Sequence, residues 1–245
     1  MTFLQVRGLT KVYSGLIAVN AVDFSVQRGS ITALIGPNGA GKTTCFNLIA
    51  GATRCTAGRV EFDGEDITGR SPEQACARGI ARTFQIVRPL TGMSVLENVV
   101  VGALLREASV AHAERQAMAV LERIGLGAKA HASASALALP ERKLLELAKA
   151  LATRPRLLML DEVMAGLRPT EADATAQVLR ELNADGLTIL LIEHVMRVVM
   201  AVAHTIVVLH HGEKIAEGGP AQIANDPRVI ECYFGASARP AQTAP

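Results

Sequence analysis

A nine-residue run, Gly36-Pro37-Asn38-Gly39-Ala40-Gly41-Lys42-Thr43-Thr44, constrains this chain more than any other stretch. It follows the apolar run Ile31 to Ile35 and precedes the apolar positions Phe46, Leu48 and Ile49, so it reads as strand, glycine-rich loop and helix. Glycines at these spacings let successive backbone N–H groups turn inward as an anion nest, and a helix starting near Lys42 adds the positive end of its dipole. This is the pattern of a phosphate-binding loop. Lys42 is placed to reach the β- and γ-phosphates of a nucleotide, and the Thr43 hydroxyl to ligate Mg2+.

The rest of the chain supplies a sheet to carry that loop. Leu157 to Leu160, Thr188 to Ile192 and Ile206 to Leu209 are continuous apolar runs of strand length, and continuity rather than alternation marks strands covered on both faces. Between them Leu144, Leu147, Ala148 and Leu151 fall at i, i+3, i+4 and i+7, with Arg142, Lys143, Glu146 and Lys149 on the other faces. Strand-helix-strand order predicts an α/β fold on a parallel sheet. Segments at Phe3 to Val6, Val22 to Val26 and Arg59 to Asp63, joined through glycine-containing turns, suit a small antiparallel sheet beside it. Ser94 to Ala152 is dense in alanine and nearly free of strand signal, so it reads as a helical insertion. We therefore expect one domain over residues 1–235, a helical subdomain over about 94–152, and a disordered Ala- and Pro-rich tail from Gly235 to Pro245 (residues 236–245 outside the domain).

Composition closes off other classes. Among 245 residues, 25 Lys and Arg against 23 Asp and Glu leave a formal charge of +2, without the basic excess of a nucleic-acid binder. A mean hydropathy of +0.27 raises the question of a membrane span. The longest charge-free apolar stretch near the C-terminus, Val198 to Leu209, interrupted by His204, falls short of the roughly 20 residues a span needs. Met1 to Arg7 lacks the features of a signal peptide, so a cytoplasmic protein is expected. Cys45, Cys55, Cys76 and Cys232 have no metal-ligand spacing and read as small buried apolar residues without a function.

A phosphate loop needs a further metal contact and a way to activate water. Leu157 to Leu160 ends in Asp161-Glu162, at the strand edge where ligands of open α/β sheets sit. Asp161 is suited to hold Mg2+ through water, and Glu162 to accept a proton from the attacking water. Thr188 to Ile192 runs into Glu193-His194, which puts His194 on the same rim. Gln85, after Ala81-Arg82-Thr83-Phe84, is by itself an ordinary polar residue.

In order along the chain stand Tyr13, Gly36 to Thr44, Gln85, Leu137 to Glu141, Asp161 with Glu162, Ala165 to Arg168, and His194. That set resembles the ATP-binding subunits of ATP-binding-cassette transporters over nearly the whole chain. Gly79-Ile80-Ala81-Arg82-Thr83-Phe84-Gln85, Met93 to Val99, Ile192 to Met196, Gly212 to Gly218 and Asn225 to Ile230 look closer still to the bacterial branched-chain amino-acid importers, with urea importers sharing much of the vocabulary. The resemblance implies a phosphate-loop parallel sheet with an N-terminal antiparallel subdomain and an inserted helical subdomain. It implies ATP and Mg2+ as ligands, with Tyr13 stacking on adenine, the loop residues Gly36, Pro37, Asn38, Gly39, Ala40, Gly41, Lys42, Thr43 and Thr44 on the phosphates, and Gln85 beside Thr43 and Asp161 at the metal. Lys42, Glu162 and His194 would then form the catalytic set. Implied partners are integral membrane permeases, a second ATPase and, indirectly, a periplasmic substrate-binding protein, with no nucleic acid; the implied location is the cytoplasmic face of the cell membrane.

Two places depart from the family pattern. Its usual signature, Leu-Ser-Gly-Gly-Gln, aligns with Leu137-Ala138-Leu139-Pro140-Glu141, which loses a hydroxyl at Ala138 and a backbone N–H at Pro140 and gains a charge at Glu141. Pro140 reads as the first residue of a helix whose dipole could still face phosphate. The loop after Glu162, commonly Ala-Leu-Asp at its core, reads Gly166-Leu167-Arg168. In the family's head-to-tail dimer the signature of one subunit faces the ATP of the other. The expectation is a heterodimer with one impaired site, a homodimer remaining open.

Overall fold

The computed structural model describes residues 2–234, and the tail expected from Gly235 to Pro245 lies outside the described residues. β1 (Thr2–Tyr13) and β2 (Leu16–Gln27) form a hairpin. Ser14 and Gly15 between them have φ of 43° and 92°, the backbone of a type I′ turn, whose twist matches that of paired strands. β3 (Ile31–Ile35) leads through the glycine loop into α1 (Lys42–Ile49). β4 (Ala57–Phe62) and the short β5 (Glu65–Asp66) return to the first hairpin, giving an antiparallel sheet in the order β2-β1-β4-β5. The segments Phe3 to Val6 and Val22 to Val26 are the better-buried parts of β1 and β2, and Arg59 to Asp63 covers the end of β4 and the first turn residue after it. Both members of the hairpin extend further, through positions that mix exposed and buried residues.

α2 (Pro72–Ala77) starts at a capping box: Ser71 Oγ accepts the Gln74 N–H and Gln74 Oε1 accepts the Ser71 N–H. β6 (Ile80–Arg82) follows, then α3 (Val95–Ala103), α4 (Val110–Arg123) and α5 (Leu139–Ala152). The C-terminal part runs β7 (Leu157–Asp161), α6 (Pro169–Ala184), β8 (Thr188–Ile192), α7 (Met196–Val202), β9 (Thr205–His210), β10 (Glu213–Gly218), α8 (Pro220–Ala224) and α9 (Pro227–Phe234). The main sheet has the order β10-β9-β3-β8-β7-β6, parallel except for β10.

Every residue of β3, β7 and β8 is buried, and neighbours along a strand go to opposite faces. Leu157, Met159, Leu190 and Ile192 join Phe3, Phe24 and Phe46 in the core shared with the antiparallel sheet and α1. Leu158, Leu160, Ile189 and Leu191 pack with Leu147 of α5, Leu179 of α6 and Val199 of α7. With both faces dry, alternation has no meaning, and each Leu or Ile buried this way contributes about 1.5–3 kcal/mol.

A third core joins the inserted helices through Val95, Val99 and Ala103, Ala113, Ala117 and Leu121, and Leu145, Ala148 and Ala152. The alanines let the axes approach, and at Gly102 a Cβ would lie 2.5 Å from the Lys149 carbonyl oxygen. The placing of Lys143 and Glu146 on outward faces of this helix is corrected, since both are buried. α5 contributes to two cores at once, through Leu147 and Ala150 on one side and Leu145 and Ala148 on the other, which leaves it only a narrow wet stripe. The cysteine reading also changes: Cys45 is buried, its thiol pushed up to about 12 by burial, but Cys55, Cys76 and Cys232 are half-buried. Among the described residues no helix is long and apolar enough to cross a membrane.

Register is what assembles the rim. Leu34 and Asp161 both pair with Ile192, so the glycine loop, Asp161-Glu162 and Glu193-His194 leave the sheet side by side at the C-terminal ends of β3, β7 and β8.

Candidate functional site

The glycine loop is fixed by what surrounds it. At Gly36, with φ 149°, a Cβ would sit 2.1 Å from the Leu209 carbonyl oxygen of β9; at Gly41, with φ 98°, it would sit 2.5 Å from that of Ala18. Only glycine fits at either position. The Lys42 ammonium, at the first position of α1, donates to the carbonyls of Gly36 at 2.8 Å and Pro37 at 2.9 Å, closing the loop over itself. Burial lowers the Lys42 pKa, and the carboxylates of Glu162 and Asp161 work against that shift.

Asn38 to Thr44 line a cleft of about 500 Å³ together with Gln85, Glu162, His211 and the segment Leu16 to Ala18. Thr43 is exposed and Thr44 half-exposed at its edge. The first-turn N–H groups of α1 have no acceptor within the helix, so the cleft offers an anion several donors and the helix dipole. Tyr13 is not among its lining residues. It stands at the end of β1, paired with Leu16, with the Lys11 ammonium 4.8 Å from its ring centroid. The exposed side chains nearest the cleft are instead Leu16 and Ile17, which the sequence did not single out.

Asp161 closes β7 with its side chain 2% exposed. Its Oδ2 accepts from Arg82 Nη2 at 2.8 Å, and its backbone N–H donates to Thr83 Oγ1 at 3.2 Å. Oδ1 is buried and has no hydrogen-bond partner. A buried carboxylate oxygen lacking a donor, beside Thr43, Gln85 and a phosphate loop, fits a hydrated divalent cation, because such a site calls for one more positive or donating group. Arg82 also donates to Asn47 Oδ1 at 2.6 Å, binding β6 and α1 to the end of β7.

Glu162 is held at every polar atom. Its φ of 52° puts a non-glycine residue in the left-handed region, a conformation that costs of order 1–3 kcal/mol and persists where surroundings enforce it. The N–H donates to the Ile192 carbonyl at 2.9 Å, and the carbonyl accepts from Lys143 Nζ at 2.9 Å. Oε2 accepts from Gln85 Nε2 at 2.6 Å, and Oε1 accepts from His194 Nε2, which therefore carries the ring proton. The structure thus brings Lys42, Gln85 and Glu162 to one cleft, with His194 bonded to Glu162. Glu193, buried next to His194, accepts the Met164 N–H at 2.8 Å and the His194 N–H at 3.3 Å; burial raises its pKa despite those bonds.

None of Leu137 to Glu141 lines that cleft. Ala138 caps α5, so Pro140 occupies the second helical position rather than the first. Glu141 accepts the Ala138 N–H at 3.0 Å and pairs with Lys129, contacts that hold its carboxyl below the usual range. The charge expected to face a polyanion there is therefore partly offset. Gly166 lies beside Leu139, its virtual Cβ 3.6 Å from a Leu139 methyl, and Arg168 pairs with Glu171. Arg82, Lys143, Glu193 and His211 are the site residues that sequence reasoning missed. Arg82 and Glu193 adjoin motif residues, but neither carries a spacing that gives it away.

Residues 19–165 match the family described as ABC transporter, and residues 213–239 match one described as branched-chain amino acid ATP-binding cassette transporter. The sequence is 40% identical to the high-affinity branched-chain amino acid transport ATP-binding protein BraF of Pseudomonas aeruginosa, over 95% of this chain and 97% of that one. The same figures hold for the high-affinity branched-chain amino acid transport ATP-binding protein LivG of Escherichia coli K12. The fold is similar to a nucleotide-free ATP-binding cassette from an ABC transporter, with TM-score 0.88 and 34% identity over 96% of this chain and all (100%) of that one. It is similar also to the ADP conformation of the ATP-binding cassette MJ1267, with TM-score 0.88 and 33% identity over 96% and 99% of the two chains.

Proposed function

Because the chain belongs to the ATP-binding-cassette transporter family, we propose that it is the ATP-hydrolysing subunit of an importer for branched-chain amino acids, bound at the cytoplasmic face of the cell membrane. The observation that carries this reading is the convergence of Lys42, Gln85 and the doubly held Glu162 on one cleft.

When ATP enters, the Lys42 ammonium exchanges the Gly36 and Pro37 carbonyls for phosphate oxygens, and the N–H groups at the start of α1 add neutral donors. Thr43, Gln85 and, through water, Asp161 would hold Mg2+, which supplies charge neutralisation of the phosphates. Glu162 orients the attacking water and takes its proton, while His194 fixes the Glu162 rotamer and stabilises charge on the transferred phosphoryl. Leu16 and Ile17 offer apolar surface to the adenine at the lip of the cleft, and Tyr13, paired with Leu16 just outside that lining, would reach the base only by turning toward it.

A second ATPase is inferred from the family's head-to-tail dimer, in which Leu137 to Glu141, apart from this chain's own cleft, would serve a partner's ATP. A homodimer would place the weakened signature at both sites; a heterodimer confines it to one and leaves this chain's Glu162 facing the partner's signature. We assign the permease to a second cleft of about 670 Å³ between the sheet and α3 and α5, where Phe84, Ile86 and Val101 are exposed around Gln85. A periplasmic binding protein meets the complex only through the permease.

The test is reconstitution of this chain with the permeases and ATPase that co-purify from detergent-solubilised membranes. Uptake of labelled leucine, isoleucine and valine that depends on ATP and is abolished by Lys42→Ala is expected. Uptake of urea alone, or undiminished hydrolysis in Lys42→Ala, would overturn the assignment.

A further inference from the structure

We propose that Lys143 is a positioning residue: from the helix that carries this chain's signature, it holds the backbone of Glu162 and so ties the surface offered to one ATP to the carboxylate serving the other. This rests on the function proposed above.

Three observations meet at this residue. Lys143 opens the second turn of α5, and its side chain turns away from solvent to end at the Glu162 carbonyl, 2.9 Å distant, although one residue belongs to the helical insertion and the other to the turn that leaves β7. Burial costs the ammonium enough to lower its pKa, and the carboxylates of Glu193 and Glu162 offset that cost. Glu162 itself needs outside support, since its left-handed backbone is not one a glutamate adopts unaided.

The arrangement has two supports at adjacent corners. Lys143 takes the Glu162 carbonyl, and the buried Glu193 takes the Met164 N–H two residues further on. Between them the turn from Glu162 to Met164 is pinned from α5 on one side and from the end of β8 on the other. A lysine buried merely to fill space would be better replaced by methionine; a donor placed on a strained carbonyl has a reason to remain charged. Because Ala138 to Glu141 begin the same helix, a shift of α5 at the partner's nucleotide moves Lys143, and with it the turn that aims Glu162.

The experiment measures steady-state ATP hydrolysis by the complete complex together with equilibrium binding of a fluorescent ATP analogue, for wild type, Lys143→Met and Lys143→Arg. Lys143→Met is expected to lower kcat about 10- to 100-fold while KM and analogue affinity stay within about three-fold, and Lys143→Arg to recover at least about one-third of kcat. Retention of kcat within about two-fold in Lys143→Met, a parallel rise in KM, or no recovery by Lys143→Arg would each overturn the proposal. Thermal melts accompany every variant. If Lys143→Met does not fold, Lys143→Gln is read by the same criteria, and failure of both to fold makes the residue structural and overturns the positioning role. An inactive wild-type complex would instead sink the functional reading beneath it.

Discussion

Arg82 and Asp161 form an ion pair with side chains 10% and 2% exposed, and replacing Arg82 by methionine isolates its worth. Methionine keeps apolar contact near Phe46 and Phe84, whose rings lie 5.7 and 5.5 Å from the guanidinium, while removing charge and donors. The 2.8 Å bond to Asp161 and the 2.6 Å bond to Asn47 both disappear, and Asp161 Oδ1 already has no partner. The carboxylate is then buried with neither oxygen bonded by a side chain. Breaking a buried pair from one side costs about 3–5 kcal/mol. For a chain of this length each kcal/mol moves the melting temperature by about 2–4 °C, so a fall of roughly 6–20 °C is expected. The assay is thermal denaturation followed by circular dichroism without nucleotide, at low and high salt, for wild type, Arg82→Met, and Arg82→Met combined with Asp161→Asn. The double variant removes the stranded charge and is expected to regain at least half of the loss, with little dependence on salt because the pair is dry. A loss below about 1 kcal/mol in Arg82→Met, or a double variant no more stable than the single one, would refute the reasoning.

Gly36→Ala forces a methyl against the Leu209 carbonyl and is expected to cost more than about 2 kcal/mol and most nucleotide affinity; unchanged melting and ATP-analogue binding would contradict the loop geometry. Glu141→Gln tests the capped signature by pH. Contacts to Lys129 and the Ala138 N–H hold the Glu141 carboxyl below its ordinary value of 4.5, so its contribution is present above that value and fades as pH falls through the lower folded-state one. Urea denaturation should show wild type ahead of Glu141→Gln by about 0.2–1 kcal/mol at pH 7, since Gln keeps the acceptor for the Ala138 N–H and loses only the charge, and the gap closing at acid pH; a gap that persists at pH 2 would count against it. In the assembled transporter, Glu162→Gln is compared with the same change in the partner ATPase. A phosphate hydrogen bond missing from one signature is worth about 10- to 150-fold in rate, so unequal effects on hydrolysis are expected and equal ones would exclude the asymmetric dimer.

The chain's strands were legible because β3, β7 and β8 bury both faces and so write themselves as unbroken apolar runs. The glycine loop was legible because its spacing encodes a backbone shape, although the Leu209 and Ala18 carbonyls that crowd Gly36 and Gly41 left no mark in the sequence. β6, of three residues, is too short to leave a pattern, and the long hairpin β1–β2 mixes wet and dry positions along its length. The buried charges were illegible for a different reason. Arg82 meets Asp161 across 79 positions and Lys143 meets Glu162 across 19, and a charged residue looks solvated until its partner is in place. Glu146 misled in the same way: the amphipathic reading of α5 allowed for one core where the fold presses two against it.

The two bonds on the Glu162 carboxylate set the direction in which it can act. With Oε1 held by His194 and Oε2 by Gln85, the plane of the carboxylate is fixed from both ends while each oxygen keeps an acceptor site for a water. On the proposed reading this is an aiming device. Gln85 also lines the cleft assigned to the permease, so the side chain that aims the carboxylate borders the surface on which a membrane partner would act.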